Sequence, residues 1–309
     1  MLDILLKTLP FFALIGVGFI AGQLRFFTAE GTAWLTKFVF YFALSAMLVK
    51  LCANLSLAEL FDVQFASAYL LGCAVVYALA MGVAFARRVP LAEAAVEAQC
   101  AVIGNTGFLG VPMLVMLLGP QATGPVLLVL CLDMIVFNTL ITLIITGARE
   151  GRMRLSTFKA LGAGLVKNPI IVSMTLGLGW GATEWPVPGP VNDFVALLGA
   201  AATPGALFAI GASLAGRRAE RLAVAGWLSF AKLVLHPLAV AVCAFWIFDV
   251  DPMAAGVMVA AAALPVAGNT YILAAHYGVA PQRVSASILI STAISIVTVT
   301  AVIAWVTGG

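Results

Sequence analysis

The chain has 309 residues, of which 63% are apolar and only 9% charged, and its mean hydropathy is +1.12. Soluble domains have about 45–50% apolar and about 25% charged residues, so this composition excludes a soluble globular protein, and no long stretch is polar enough for a soluble domain. The net charge of +3 is modest; nucleic acid is not expected as a partner, and where the charges fall matters more than their sum.

A membrane-spanning helix needs about 20 apolar residues. Ten segments qualify in chain order, at about 4–23, 34–54, 65–86, 92–118, 124–147, 167–183, 192–215, 222–248, 253–277 and 284–307. Asp3 and Lys7 lead into an apolar run from Leu9 to Gly22 that lacks a small-x-small cleavage site, which fits a first span better than a signal peptide. The sixth segment is short, and the fourth and ninth are long. Cys52, Cys73, Cys100, Cys131 and Cys243 all fall in apolar stretches without CxxC or metal-ligand spacing, so they read as small packing residues and no metal site is expected.

The fourth and ninth segments share a tripeptide, Gly104-Asn105-Thr106 and Gly268-Asn269-Thr270, with Pro112 after the first copy and Pro265 before the second. Proline removes a backbone donor and clashes with the preceding turn, and glycine weakens a helix. At membrane depth such an interruption is tolerated only where it is buried in protein or lines a cavity. One reading is a simple kink, because Pro and Gly are common in membrane helices. The other is a pair of half-helices in each segment, meeting near the midplane. The N-terminal ends of the distal halves then offer unpaired N–H groups and partial positive charge to an anion. Paired breaks in two halves point to a secondary transporter's binding site. The candidate substrate site is therefore Gly104, Asn105, Thr106, Gly107 and Pro112 from the fourth segment, with Pro265, Gly268, Asn269 and Thr270 from the ninth.

Charge sets the orientation. Loops after odd-numbered segments carry thirteen of the sixteen Lys and Arg residues: Arg25 and Lys37; Arg87 and Arg88; Arg149, Arg152, Arg154, Lys159 and Lys167; Arg217, Arg218 and Arg221; and Arg283. Loops after even-numbered segments carry Glu59, Asp62, Glu184, Asp193, Asp249 and Asp251. The odd-numbered loops are expected in the cytoplasm and both termini outside, in the inner (plasma) membrane. Lys7 and Lys50 lie near helix ends, where a lysine can snorkel.

The halves align. Pro10 matches Pro169, Gly18 matches Gly177, Gly22 matches Gly181 and Ser45 matches Pro204, all at an offset of 159. The tripeptides match at 164, and Pro120-Gln121 matches Pro281-Gln282 at 161, as Thr146-Gly147 matches Thr307-Gly308. Five segments per half is an odd number, so the second half enters the membrane from the opposite side. The expected fold is an all-α polytopic membrane protein of ten helices, a 5+5 inverted repeat with crossed, discontinuous fourth and ninth helices.

Ionisable groups at membrane depth are rare and mark pathways or pairs. Asp133 lies midway along the fifth segment; Lys232 and His236 lie one turn apart on one face of the eighth. Asp133 and Lys232 are expected near each other or near the crossover, either coupling a proton or sodium ion to the substrate or bracing the fold. His236, before Pro237, reads as a hydrogen-bonded packing residue or a proton relay. Glu93 and Glu97 are expected at the cytoplasmic surface and His276 near the outer mouth. The sequence has no His-Glu-x-x-His, Walker loop or Gly-x-Ser-x-Gly, so neither an enzyme nor a cofactor is expected.

These motifs also resemble the auxin efflux carrier family, whose bacterial members include malonate transporters. GNTGFLGVPML (104–114) is similar to the family's Asn-Thr…Gly-x-Pro pattern and LPVAGNTYILAAHYG (264–278) to its Leu-Pro…Tyr-Gly pattern. TPGALFAIGASLAG (203–216) and KLVLHPL (232–238) resemble it too, and the likeness spans all ten segments. The second segment departs, with LSAMLV (44–49) and Ser45 where the family often has proline. The resemblance implies a fold like that of sodium/proton antiporters and bile-acid transporters. It implies a scaffold of helices 1–2 (1–60) and 6–7 (167–218), a transport domain of helices 3–5 (61–147) and 8–10 (219–309), and a cytoplasmic loop at 148–166. It also implies an elevator motion and a homodimer through the scaffold. Asn105, Pro112 and Pro265 match family positions that contact a carboxylate. Ser45 and Pro204, with Asp133, Lys232 and His236, are candidate supporting or coupling residues. The expected function is secondary active transport of a small organic anion, auxin- or malonate-like. The alternatives are a cation/proton or sodium exchanger of the same fold, or a channel or sensor, and the coupling ion is open.

Overall fold

A computed structural model describes residues 2–55, 62–150, 155–215 and 222–308. Glu59, Arg152, Arg154, Arg217, Arg218 and Arg221, whose charges contribute to the expected orientation, lie outside the described residues. The described chain is helical apart from turns and one isolated β-bridge. Among the described residues, seven helical runs are long and apolar enough to cross a membrane: Asp3–Gln23, Ala29–Cys52, Val63–Ala86, Pro120–Arg149, Gly189–Ala215, Leu222–Ile247 and Pro281–Val306. An eighth results if Phe158–Val166 and Pro169–Gly181, bent by 59°, form one span. This is the build of an all-α polytopic membrane protein.

The two segments with the repeated tripeptide are both split. The fourth runs Leu91–Val102, breaks over 103–105, and resumes as a π turn, Thr106–Gly110, followed by Val111–Leu118. The ninth runs Pro252–Ala262, breaks over 263–267, and resumes as Gly268–Tyr277. Pro265 lacks the N–H that would bond the Ala261 carbonyl, and Pro112 lacks the one that would bond Phe108. After the first break the N–H groups of both Leu109 and Gly110 bond the Asn105 carbonyl, at 3.1 and 2.9 Å, so the turn widens. Positions 94–106 and 255–267 are buried throughout. The broken segments are therefore the centre of the bundle.

Within 148–166, expected as a cytoplasmic loop, the described residues are helical: Asn138–Glu150 extends into it and Leu155–Val166 is a further helix, while 151–154 lie outside the described residues. The stretch KALGAGLV has enough Ala and Leu to be helical. The chain turns instead at Asn168, whose side chain accepts the Ile170 N–H at 3.0 Å, with Pro169 opening the next helix. The second segment carries a π turn just before Ser45, where the resembled family often has proline. Its π turn, Val39–Ala43, leaves the Phe40 carbonyl to accept the Ser45 hydroxyl at 3.2 Å.

The first segment packs on the seventh, and the second on the sixth and seventh. The third packs on the fourth and eighth, and the tenth on the eighth and ninth. Glycines set the closest approaches. A Cβ on Gly18 would stand 2.1 Å from the Phe208 carbonyl oxygen, and one on Gly177 would stand 2.6 Å from that of Val49. A Cβ on Gly22 would stand 2.9 Å from the Ala212 carbonyl oxygen and one on Gly181 3.2 Å from that of Ala53. The partners Val49 and Phe208, like Ala53 and Ala212, are themselves 159 residues apart. Left-handed turn residues pair in the same way. Arg25 (φ 55°) matches Glu184 (φ 56°) at 159, and Arg88 (φ 58°) matches Asp249 (φ 49°) at 161. Gly119 (φ 90°) matches Ala280 (φ 46°), also at 161.

A Cβ on Gly211 would lie 1.9 Å from the Ile15 carbonyl oxygen, while one on Gly16 meets nothing within 4 Å. Gly211→Ala should therefore lower stability by about 1–3 kcal/mol through overpacking. Gly16→Ala should be neutral or slightly stabilising. Thermal unfolding of the two purified variants checks the contrast.

Candidate functional site

The two breaks meet. Gly104 and Val266 form an antiparallel bridge. The Asn105 N–H donates to the Pro265 carbonyl at 2.9 Å, and the Ala267 N–H donates to the Ile103 carbonyl at 3.1 Å. The Val266 N–H donates to Ser291 Oγ of the tenth segment at 3.1 Å. Backbone groups freed from two helices are thus satisfied by each other and by one serine. The distal helices begin at Thr106 and Gly268, 162 residues apart, whereas the tripeptides are 164 apart. The second copy is therefore two residues further into its helix. Asn105 is an N-cap, whereas Asn269 lies in a first turn.

Behind the crossing lies a buried polar network. Tyr69 donates its hydroxyl to Asp133 Oδ1 at 2.7 Å, and Thr106 donates to Oδ2 at 3.3 Å. Lys232, wholly buried, donates to the Ala262 carbonyl, and its Nζ lies 3.0 Å from His236 Nδ1. His236 Nδ1 also lies 3.1 Å from the Ala262 carbonyl oxygen, and its Nε2 lies 3.0 Å from Cys73 Sγ. The rings of Tyr69 and His236 lie edge to face with centroids 6.1 Å apart, joining the two halves of the network. Thr106, Asp133 and Lys232 each sit in a π turn (Thr106–Gly110, Asp133–Phe137 and Ala231–Leu235), local widenings often found at functional sites. Ion pairs among the described residues involve only Glu93 and Glu97 as acids, so Asp133 and Lys232 are not in direct contact.

In front of the crossing is a cavity of about 1730 Å³. It extends from exposed Arg25, Lys37 and His276 to buried Asn105, with Asn138 and Asn269 along it. Phe40, Phe108, Met134 and Ile210 supply apolar wall. No Asp or Glu lines it among the described residues. Its walls come from the first, second and seventh segments and from the fourth, fifth and ninth, and the Leu155–Val166 helix and Asn168 also line it.

The expected site residues divide into three groups. Asn105, Gly268 and Asn269 line the cavity, and Asn269 Oδ1 is buried without a hydrogen-bond partner. Gly104 and Pro265 form the crossing, and Thr106, Asp133, Lys232 and His236 the network behind it; none of these lines the cavity. Thr270 is buried with an unpartnered hydroxyl, and a Cβ on Gly107 would meet Leu44, Leu130 and Ile170 side chains at 3.6 Å or more. Pro112, Ser45 and Pro204 also lie off the cavity lining, with Pro204 exposed. His276 lies at the same mouth as Arg25 and Lys37, the opposite end from the one expected for it. Residue type alone does not single out Tyr69, Cys73, Asn138 or Phe108, each a polar or aromatic residue in an apolar stretch. The one available signal is the spacing of Tyr69 and Cys73, four residues apart on one helical face. Cys73 is accordingly more than packing material.

The family described as "Membrane transport protein" matches residues 3–303 of this chain. A protein of Rhizobium meliloti (strain 1021) named "Putative malonate transporter" is 32% identical over 305 residues, covering 97% of this chain and 95% of that protein.

Glu97 is not a surface residue. It is wholly buried and held by Arg87 of the third segment and Arg283 of the tenth, and Arg283 also reaches Glu93 at 3.2 Å. Two guanidiniums at the helix ends offset the cost of burying the carboxylate. Removing one member of a buried ion pair costs about 3–5 kcal/mol, because the partner charge stays buried. Glu97→Gln should therefore destabilise the protein by roughly that amount. Glu93→Gln, whose side chain is 37% exposed, should cost less than about 1 kcal/mol. Chemical denaturation of the two variants separates these outcomes.

Proposed function

Because the chain belongs to the membrane transport protein family, whose members are transporters and not enzymes, we propose that it is a secondary active transporter for a small organic anion. A malonate-like dicarboxylate is the first candidate, in keeping with the name of its relative. The observation that carries this reading is the charge of the cavity. Arg25, Lys37 and His276 line it, no acidic residue does among the described residues, and it reaches Asn105, Gly268 and Asn269. A cleft of one sign with apolar walls concentrates ions of the opposite sign. The first N–H groups of the helix starting at Gly268 have no partner within that helix and carry partial positive charge, a suitable end for a carboxylate. Cation exchange fits less well, since Asp133 is bonded to Tyr69 and Thr106 away from the cavity.

In this reading the ten segments are ten spans arranged as a 5+5 inverted repeat with crossed fourth and ninth helices. The paired glycine contacts and paired left-handed turns support it. So do the charges of those turns: Arg25 and Arg88 have acidic mates, Glu184 and Asp249, as expected for halves of opposite orientation under the positive-inside rule. The first, second, sixth and seventh segments serve as scaffold, and the third to fifth and eighth to tenth move against it as an elevator. Packing concentrated within each group, with the cavity between them, supports that division. The basic end faces the cytoplasm of the inner (plasma) membrane and both termini lie outside, so the cavity is inward-facing. Exposed Trp34, Phe42, Phe194 and Leu197 on the scaffold suit lipid and a homodimer contact.

The test is a malonate thermal-shift titration of the purified protein, paired with malonate counterflow in liposomes. Wild type should be stabilised by mass action and show saturable counterflow. Losing a hydrogen bond to a charged group costs about 1.5–3 kcal/mol, and about 1.4 kcal/mol is tenfold in affinity. Asn105→Ala and Asn269→Ala should each weaken malonate about tenfold or more. Stabilisation by carboxylates that survives both substitutions would remove the crossing from the site, and unsaturable conductance would indicate a channel.

A further inference from the structure

In a continuous ninth helix the carbonyls of Ala262 and Ala263 would accept the N–H groups of Val266 and Ala267. Those donors go instead to Ser291 Oγ and to the Ile103 carbonyl, and residue 265, being proline, has no N–H to offer. The proximal half of the ninth segment therefore ends at Ala262 with carbonyls that lack their intrahelical donors and with the negative end of its helix dipole. The proximal half of the fourth ends at Val102, two residues before Gly104. Lys232 fills the space between these ends. Its Nζ bonds the Ala262 carbonyl and would lie 3.3 Å from a Cβ built on Gly104, as would the Ala261 carbonyl oxygen. A side chain at 104 would crowd the ammonium, which would have to give by a few tenths of an ångström.

Broken-helix carriers use unwound carbonyls and half-helix C-terminal ends to hold a coupling sodium ion or proton. Here that position holds a side-chain cation, wholly buried. We propose that Lys232 is a built-in replacement for a coupling cation at the crossing, so that the crossing needs no sodium to hold together. The inference rests on the carrier reading for its meaning in transport, but the occupancy of the site is separable from it. The polarity of the crossing is then divided. Positive helix ends and Asn105 and Asn269 face the cavity, while negative ends face Lys232 on the other side. Asp133, held by Tyr69 and Thr106, supplies the nearby counter-charge through the network without contacting the ammonium.

The experiment compares melting of the full-length purified protein in sodium chloride and in choline chloride at equal ionic strength, without substrate. Wild type should melt at the same temperature in both salts. Lys232→Ala, which vacates the position and leaves the carbonyl ends, should melt lower in choline and regain several degrees in sodium through binding to the folded state. Lys232→Met, which fills the space with an apolar chain, should melt lower in both salts without a sodium response. A sodium-specific shift in wild type overturns the proposal, as does a Lys232→Ala protein indifferent to sodium or a Lys232→Met protein stabilised by it. Should Lys232→Ala fail to fold, the wild-type comparison and Lys232→Met decide. Loss of malonate counterflow in wild type would instead count against the carrier reading, leaving these salt measurements intact.

Discussion

A carbonyl or N–H freed at the centre of an apolar bundle has no water to bond, and each one left unpaired costs several kcal/mol. The two breaks here, over 103–105 and 263–267, free groups from both the fourth and ninth segments at once. Each break is repaired by the other. Asn105 and Ala267 donate across the crossing, Ser291 takes the Val266 N–H, and Lys232 takes the Ala262 carbonyl. Neither break is stable alone, which ties the two segments to one crossing point and fixes where every neighbouring segment packs.

The same repair explains why charged and polar residues occur so deep. A buried ammonium needs acceptors and counter-charge, and Lys232 has a carbonyl, a histidine nitrogen and two helix C-termini within its surroundings. Tyr69, Cys73 and Thr106 then satisfy Asp133 and His236 so that no member of the network is left open. A fully satisfied network of this kind specifies one arrangement of helices, because partial versions carry unpaired groups. The π turns at Asp133 and Lys232 bring these side chains to the crossing without breaking their helices.

Much of this is legible from residue types. Gly-Asn-Thr with a nearby proline marks each break, and Asp133, Lys232 and His236 mark the network, because such groups are costly in an apolar stretch. The helix over 155–166 is not legible as such, since the basic residues in and around it, from Arg149 to Lys167, suggest a loop while its Ala and Leu favour helix. The burial of Glu97 is hidden for a different reason. Its two arginine partners are 10 residues before it and 186 after it, and only the folded chain brings them together. The cavity-lining roles of Asn138 and Phe108 depend on helix rotation at π turns, which a regular 3.6-residue period does not capture.

The tripeptide that marks both breaks plays different parts in them. Matched helix starts are 162 residues apart, and the tripeptides 164, so sequence identity and structural equivalence differ by two positions. Asn105 uses its backbone N–H to hold the crossing at Pro265 and has only its side chain to give to the cavity. Gly268 and Asn269 open a helix, so their backbone donors remain unclaimed within it, and Asn269 adds an amide whose oxygen has no partner. A carboxylate entering from the basic mouth would therefore meet a side-chain amide on one wall and a helix terminus on the other. On the proposed anion-carrier reading, that asymmetry would give a carboxylate a preferred orientation in the cavity.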